Sequence, residues 1–540
     1  MNKVAIIHVE NTENIVEFAD FLSNAGWTLV SANETEEILK KNKIPVVHEA
    51  ALVVDNLHMS DNTKLIQQIL NSKLPDERSP VHFADQYNSG VQILCMNIQP
   101  LLRKLENSKK TPSLIRPNNF YIASLIRSSF VNYENLLILC DPADYKEAMI
   151  QLRTDNIDSD FRLYLAAKAL NMVSAYDSGI AAPILMGPKA TKDFANYLMF
   201  PFQKESVLKG GSNPQQASCL YRFPTSDGSV GAYTKLQGKE LDYNITSDIA
   251  MAWEQISALY FTLKNQFSVK STNSDGYDFT TQFTPLTETV FTIGVKLNTI
   301  VGAALSTSVV DSFRKTYTYD KRNIKNVILA SSAVIDDVAA REIINCDFAA
   351  IVAPGYTTEA KQIFSENKSL RLIQTSRTYL TPYTMSFING GLLIQTKDNK
   401  LFDHWYVKTK NRPSQYQTDQ MAFGMLLVAG SRSYSAAIIN DNSISGIARC
   451  ATSPSLAIED AYYEAKRSLK RNNAPEGTKL GNILVCDSAF PFCDVVKEII
   501  DGGITAIIQT GGTNTDNELI EYCNEHDVVM VFTQTTHISY

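Results

Sequence analysis

The segment that decides the fold class is residues 4–32, "VAIIHVENTENIVEFADFLSNAGWTLVSA". Five of its first six residues are apolar and predict a strand, and Ile15, Phe18 and Leu22 then recur at helical spacing. The pattern continues as strand, helix and strand at residues 28–32, 34–43 and 44–54. This βαβαβ order predicts an α/β fold with a parallel, doubly wound sheet that binds ligands at the carboxyl ends of its strands.

Further along the chain, residues 91–98 and 135–142 predict two more strands of this sheet. The polar stretch at 105–119 is typical of a loop. A long amphipathic pattern at 160–181 predicts a helix that closes this first domain near residue 190.

The remaining residues predict a second α/β region. Its strand-like runs lie at residues 326–335, 348–354, 390–396, 435–440, 481–487, 504–510 and 528–534. The stretches at 270–282 and 470–479 are rich in turn residues and predict linkers or surface loops.

Composition excludes several classes of protein. The 540 residues carry a net charge of −7, which argues against nucleic-acid and anionic-membrane partners. The apolar start is too short for a signal peptide, and no apolar run is long enough to span a bilayer. The eight cysteines are scattered, with no metal-ligand spacing, so a reduced, cytoplasmic protein without a metal site is expected.

One apolar stretch, "TIGVKLNTIVGAAL" at residues 292–305, contains a single lysine, Lys296. The pattern predicts a buried strand that turns at Gly302. A buried lysine is costly unless it is paired or used in chemistry. The chain has no histidine between residues 83 and 403, so chemistry in this stretch proceeds without an imidazole from it.

Several motifs together resemble those of one family. They are "CDSAFPFCD" at 486–494, the run at 503–533, "GGSNPQQA" at 210–217, "GKELDYN" at 238–244 and "AAIVAPGYTTEA" at 349–360. In this order they are similar to the bifunctional purine biosynthesis protein, which has AICAR transformylase and IMP cyclohydrolase activities. The resemblance covers essentially the whole chain.

The resemblance implies two domains. Residues 1–195 would form a methylglyoxal-synthase-like, cyclohydrolase-like domain. Residues 196–540 would form a transformylase-like domain of two cytidine-deaminase-like halves, divided near 375–390. It also implies a homodimer with the transformylase site at its interface, and it allows a heteromer with an active relative. The family uses 10-formyltetrahydrofolate and no catalytic metal, whereas no cofactor is predicted for this chain.

The transformylase motif of the family is V-K-H-x-N-P-C-G, and "VKLNTIVG" lies in its place. Lys296 then stands for the lysine, and Leu297 replaces the histidine. Because leucine neither accepts nor donates a proton, this replacement removes the proton transfer that the family histidine provides. Other family positions hold replacements, namely Lys209 for an arginine, Gln215 for a histidine, and Pro454 and Thr536 for arginines. The candidate binding residues that the resemblance implies are Lys209, at the replaced arginine, and Asn213, Gln216, Asp487 and Phe490.

The cyclohydrolase half differs from the family in the same way. Thr12, Asp55 and Val131 fall where the family has lysines, and Asn33 and Glu34 replace glycines of a phosphate loop. The family residues that remain are His58, Arg127 and Asn132.

Two hypotheses follow. The chain is either a catalytically inactive, dimeric scaffold, binding or regulatory protein related to purine biosynthesis, or an enzyme with a changed substrate that uses Lys296, His8 or Asp487. A third hypothesis is that the chain keeps residual transformylase or IMP cyclohydrolase activity. Smaller alternatives also stay open, because His8 with Glu10 could form an acid–base pair, and residues 511–513 could bind an anion or only form a turn.

Overall fold

The computed structural model describes residues 3–49, 91–98, 117–154, 157–185, 194–223, 228–265, 268–284, 289–319, 325–376 and 383–539. His58, the predicted strand residues after Glu49 and most of the predicted loop at 105–119 lie outside these residues. The chain divides into two compact units, here called unit 1 (Met1–Gln203 with Arg222–Thr225) and unit 2 (Lys204–Tyr221 with Ser226–Tyr540). Which domain types of the family these units represent stays a prediction.

Unit 1 has the predicted α/β order. Its elements are β1 (Lys3–Val9), α1 (Ile15–Asn24), β2 (Trp27–Ser31), α2 (Asn33–Lys41), β3 (Val47–His48), β4 (Val91–Asn97), α3 (Pro117–Phe130), β5 (Leu137–Leu139), α4 (Tyr145–Arg153) and α5 (Ser159–Leu185). The five strands lie in the order β3-β2-β1-β4-β5, and every neighbouring pair is parallel.

Alternate residues of β1 enter two different cores. Val4 and Ile6 pack with residues of α3 and α5, whereas Ala5 and Ile7 pack with residues of α1 and α4. Helices therefore cover both faces, as a doubly wound sheet requires. His8 follows Val4 and Ile6 in this alternation, so its side chain lies on the α3 and α5 side.

Helix α1 ends where the sequence predicts. Ile15, Phe18, Ala19 and Leu22 are its buried residues, spaced to form one face. Gly26 follows with φ of 81°, a left-handed conformation that glycine adopts without steric cost and that ends the helix before β2.

Unit 2 is built mainly around one large sheet. Its elements are β6 (Gln203–Leu208), β7 (Ser218–Arg222), β8 (Thr234–Gln237), α6 (Tyr243–Asn265), β9 (Ser268–Thr272), β10 (Asp278–Gln282), β11 (Val290–Val295), β12 (Ile300–Ser306), α7 (Val309–Tyr319), β13 (Ile328–Ser331), α8 (Asp337–Ile343), β14 (Ala350–Ala353), α9 (Thr358–Phe364), β15 (Arg371–Gln374), β16 (Tyr383–Ile388), β17 (Gly391–Thr396), β18 (His404–Val407), α10 (Gln415–Ala429), β19 (Ala436–Asn440), β20 (Ser443–Ala448), α11 (Pro454–Arg471), β21 (Ile483–Cys486), α12 (Asp494–Asp501), β22 (Ala506–Gln509), α13 (Asp516–Glu525) and β23 (Val529–Phe532).

The large sheet has 14 strands within the described residues, in the order β10-β9-β18-β23-β22-β21-β19-β20-β12-β11-β13-β14-β15-β8. Two separate hairpins, β6-β7 and β16-β17, form sheets of two strands each.

The element order in unit 2 occurs twice. The hairpin β11-β12 is followed by a helix and by three parallel strands with helices between them, and the hairpin β19-β20 is followed by the same series. The two copies meet where Ala304 of β12 pairs with Ser443 of β20. Unit 2 is therefore internally duplicated, and because β12 and β20 are antiparallel, equivalent positions of the two copies lie at opposite edges of the sheet. A relation of these halves to cytidine deaminase stays a prediction.

One predicted loop is wrong. Residues 270–282 lie within the antiparallel hairpin of β9 and β10, in which Asp278 pairs with Thr272. The turn residues Asn273 and Gly276 occupy only the middle of the segment. The β-branched and aromatic residues on either side favour strands, and the density of turn residues concealed this pattern.

In the described part of the chain, no helix combines the length and the apolarity needed to cross a bilayer.

Candidate functional site

Lys296 lies at a tight turn between β11 and β12. Leu297 and Asn298 both have φ of 52°, and the Lys296 amide donates to the Thr299 carbonyl at 2.9 Å. The predicted turn at Gly302 is wrong, because Gly302 lies inside β12 and pairs with Gly294. A Cβ at Gly302 would come within 2.6 Å of the Thr316 carbonyl oxygen, so this glycine serves close packing of α7 against the sheet.

The predicted burial of Lys296 is also wrong. Its side chain is half-buried, and Nζ donates to the Lys325 carbonyl oxygen at 2.8 Å. The neighbouring Leu297 side chain is 70% exposed. The lysine is thus held by a neutral acceptor at the surface, beside an aliphatic side chain that offers no proton transfer.

Asp248, on α6, fixes this turn. Its Oδ2 accepts from the Leu297 amide at 2.9 Å and its Oδ1 accepts from the Asn298 amide at 2.6 Å. Burial raises the pKa of Asp248, and the two amide donors act in the opposite direction. A branched aliphatic residue such as Leu297 is uncommon at positive φ, so the carboxylate compensates for a strained backbone.

We expect Asp248→Ala to destabilise unit 2 by about 2–4 kcal/mol, since two backbone N–H groups lose their acceptor and the strained turn loses its support. Urea unfolding followed by circular dichroism measures the loss. Glu366→Ala, which removes an exposed carboxylate of the same unit, is the matched control and should change stability by less than about 0.5 kcal/mol. Equal effects of the two substitutions would contradict the role of Asp248.

The loop that carries Lys209, Asn213 and Gln216 lies on the first turn of the same helix. Tyr243 donates its amide to the Gly210 carbonyl at 3.0 Å, and Asn244 Nδ2 donates to the Ser212 carbonyl at 3.2 Å. The structure therefore brings the loop and the Lys296 turn together at the start of α6. Asp248 was missed from the sequence, although it follows the "GKELDYN" motif by only four residues.

Asn213 and Gln216 bond to each other. Gln216 Oε1 accepts from the Asn213 amide at 2.9 Å and from Asn213 Nδ2 at 3.1 Å. The Gly211 amide donates to the Gln216 carbonyl at 2.7 Å, and the Lys209 amide donates to the Leu241 carbonyl at 2.9 Å. In this chain the two predicted binding side chains stabilise a turn.

Asp487 and Phe490 lie in the second copy of unit 2 and are fully buried. Asp487 Oδ2 accepts from Ser433 Oγ at 2.7 Å and from the Ser435 amide at 3.0 Å, and burial raises its pKa. Four strand spacings separate β21 from β11, roughly 19 Å at about 4.8 Å per spacing. Within one chain these residues do not join Lys296.

His537 is a buried residue that motif comparison did not single out. Its Nδ1 lies 2.6 Å from Asp398 Oδ2, and its Nε2 lies 2.9 Å from the Leu401 carbonyl oxygen. A carbonyl can only accept, so Nε2 carries a proton. His537 therefore anchors the last residues of the chain to the segment before β18.

The loop at residues 511–513 holds a carboxylate of the chain itself. Asp516 Oδ2 accepts from the Gly512 amide at 2.7 Å and from the Thr513 amide at 3.2 Å. Because Asp516 occupies the amide groups that would bind an anion at the start of α13, the alternative of a simple capped turn fits the structure better.

In unit 1 the two remaining family residues that the structure describes, Arg127 and Asn132, have structural partners. Arg127 forms an ion pair with Asp177 on α5. Asn132 lies in the turn after α3, where its Oδ1 accepts from Asn135 Nδ2 at 2.7 Å.

His8 faces Glu49, whereas the sequence had left Glu10 open as its partner. His8 is 3% exposed, and its Nε2 lies 3.3 Å from Glu49 Oε2. Burial lowers the pKa of His8, and the charge of Glu49 opposes this shift. Glu49 also accepts a hydrogen bond from the Tyr121 hydroxyl.

The lowered pKa predicts a loss of stability in acid. The folded state binds fewer protons at His8 than the unfolded state, so the contribution is present above about pH 6.5 and is lost as the pH falls below it, by about 1.4 kcal/mol per unit of pKa difference. Urea unfolding from about pH 7 to about pH 5 should show a smaller loss in His8→Asn than in the unchanged protein. His526→Asn, at an exposed histidine, is the control. If the free energy of unfolding falls with pH as steeply in His8→Asn as in the unchanged protein, the assignment of this acid sensitivity to His8 is refuted.

Residues 131–462 match the family model described as AICARFT/IMPCHase bienzyme. The chain belongs to this family. The resemblance predicted from the sequence motifs is thereby confirmed, as is its relation to AICAR transformylases and IMP cyclohydrolases.

Several AICARFT/IMPCHase relatives match over their full length. The protein named bifunctional purine biosynthesis protein PurH from Clostridium acetobutylicum is 27% identical over 545 residues and covers 100% of both chains. The proteins of the same name from Clostridium kluyveri and Brachyspira hyodysenteriae are each 26% identical, covering 99% and 100% of both chains respectively. This chain is a strongly diverged family member.

Proposed function

We propose that this protein has kept the scaffold of the AICARFT/IMPCHase family and has lost both of its activities, and that it acts as a dimeric scaffold, binding or regulatory protein of the cytosol. All eight cysteines are free thiols, which suits a reducing compartment.

The observation that carries the proposal is Leu297. The position of the family histidine holds an aliphatic side chain, 70% exposed, on a turn whose amides are bound to Asp248. General acid–base assistance is worth about 10²–10⁴-fold in rate. Lys296 alone, donating to the Lys325 carbonyl, does not replace a proton-transferring pair.

The other histidines of unit 2 are engaged elsewhere. His404 Nε2 lies 2.8 Å from Thr272 Oγ1, and His526 Nδ1 lies 2.9 Å from the Tyr522 carbonyl oxygen. His537 has a partner at each ring nitrogen. None of these contacts involves the Lys296 turn, which supports the loss of transformylase chemistry.

Unit 1 supports the loss of cyclohydrolase chemistry. Val131 replaces a family lysine and is 78% exposed, and Thr12 replaces another. Glu10 and Glu34 add negative charge in the region of the former phosphate loops. Like charges about 4 Å apart cost on the order of 1–4 kcal/mol, so a phosphorylated nucleotide is a poor ligand here.

The hairpin β16-β17 supports a dimer. Met385, Phe387, Leu392 and Ile394 share one face of this hairpin, and Phe387 is 88% exposed. A two-stranded hairpin alone is marginally stable in water. An apolar face of this kind fits a contact with a second copy of the chain, since obligate interfaces are large and apolar.

A complementation experiment tests the proposal. In a bacterial strain that lacks its bifunctional enzyme and requires added purine, this protein should leave the requirement unchanged. The relative from Clostridium acetobutylicum, expressed to the same level by immunoblot, should remove it. Growth without purine on this protein would contradict the proposal.

A second candidate, an enzyme with a changed substrate, is favoured by one observation, the buried pair of His8 and Glu49 in unit 1. This candidate predicts that a variant of either residue changes a measurable turnover.

A further inference from the structure

At the carboxyl end of the unit 1 sheet lies a carboxylate that has no compensating charge among the residues that the structure describes. Glu49, directly after β3, is only 18% exposed. Within the described residues its partners are the Tyr121 hydroxyl and His8, and burial keeps the His8 imidazole uncharged at neutral pH. A shielded carboxylate is costly unless a positive charge lies beside it.

The buried groups around Glu49 are also left unsatisfied. His8 Nε2 is 3.3 Å from Glu49 Oε2 but out of line for a hydrogen bond, and it has no hydrogen-bond partner in the described chain. Asn119, which is 1% exposed, and Tyr176, which is 2% exposed, lie within reach of each other, but their polar side-chain atoms form no well-aligned hydrogen bond. Buried polar groups in native proteins usually have a hydrogen-bond partner, so these groups favour a polar ligand at this edge of the sheet.

These groups lie on one side of the sheet. Tyr176 on α5 and Tyr121 on α3 pack in the same core as Ile6 of β1, the side to which His8 points. The carboxyl edge of a parallel sheet is the usual place for a ligand in this fold class.

Neighbouring charges define what the site accepts. Glu36 is 8% exposed and adds a second shielded carboxylate. The charge of this carboxylate is balanced by the Lys40 ammonium, whose Nζ lies 2.5 Å from Glu36 Oε1. His48 Nε2 lies 3.5 Å from Glu36 Oε2. Lys40 and His48 are 61% and 59% exposed and are directed to Glu36, so neither neutralises Glu49.

We propose that this edge binds a small organic cation through a primary ammonium group, whose charge pairs with Glu49 and whose N–H groups reach His8. An ammonium offers three donors and no acceptor, which matches a carboxylate beside an uncharged imidazole. The inference does not depend on the loss of transformylase activity in unit 2.

Isothermal titration calorimetry on the full chain at neutral pH tests the proposal, with putrescine as the probe. We expect saturable binding of putrescine and no binding of the uncharged diol of the same chain length. Glu49→Gln keeps an acceptor for Tyr121 and should fold, and it should weaken putrescine binding about tenfold to a hundredfold, the usual range for a charged hydrogen bond. Glu17→Gln, at an exposed carboxylate on α1, should leave binding unchanged.

Two further measurements keep the test decisive. Glu49→Asp retains the charge and should retain saturable binding, even if Glu49→Gln fails to fold by circular dichroism. Inorganic phosphate should not bind. Absence of putrescine binding at millimolar concentration, equal binding of the diol, saturable binding of phosphate, or unchanged affinity in a folded Glu49→Gln variant would each overturn the proposal.

Discussion

Exchanging both Phe387 and Leu392 for serine is expected to convert the proposed dimer into monomers. The two residues are cross-strand neighbours on the apolar face of the hairpin β16-β17. Truncating a central apolar interface residue costs about 2–4 kcal/mol, so two such changes should raise the dissociation constant about a thousandfold or more. Light scattering at micromolar concentration reads the mass directly.

The control for this prediction lies on the opposite face of the same hairpin. Thr384 is exposed and directed away from Phe387 and Leu392, so Thr384→Ser should leave the dimer intact. Circular dichroism should show that both variants fold. A monomer mass for the unchanged protein, or a dimer that persists in the double variant, would refute the assignment of the hairpin to the interface.

Restoring histidine at residue 297 is expected not to restore AICAR transformylase activity. Histidine is tolerated at positive φ better than leucine, so Leu297→His should fold with the turn held by Asp248. The family arginines are still absent, because Pro454 begins α11 and Thr536 is exposed near the end of the chain. Arginine forks are the usual means of holding a phosphate in two bonds, and single-residue repair leaves that function missing.

The complementary substitution provides the control. In a family member with an intact V-K-H-x-N-P-C-G motif, histidine to leucine at the same place should lower the rate by about 10²–10⁴-fold. Turnover in Leu297→His that approaches that of the intact member would contradict the account.

Much of the fold follows from local patterns in the sequence. The first strands and helices of unit 1 have regular apolar periodicity, and the short apolar runs of unit 2 became strands such as β21 and β22. The hairpin β9-β10 was not predicted because its turn residues dominate a short segment. The duplication of unit 2 was not visible as a sequence repeat, since it is a property of strand order.

The site was only partly predictable, for a physical reason. Motif comparison finds positions such as Lys296 and Asn213, but it does not predict which groups those side chains contact. Asp248 and Asp516 fix backbone amides through contacts that no spacing rule specifies. Likewise, the sequence left a pair of His8 and Glu10 open as an alternative, whereas in the structure His8 faces Glu49 from a different strand end.

The central claim is that AICAR transformylase chemistry has been lost. The most direct test measures formyl transfer from 10-formyltetrahydrofolate to AICAR by the purified protein, beside an intact family member at equal concentration and with both substrates saturating. We expect no turnover above the enzyme-free background, at least about 10²–10⁴-fold below the intact member. A rate within about a hundredfold of that member would contradict it.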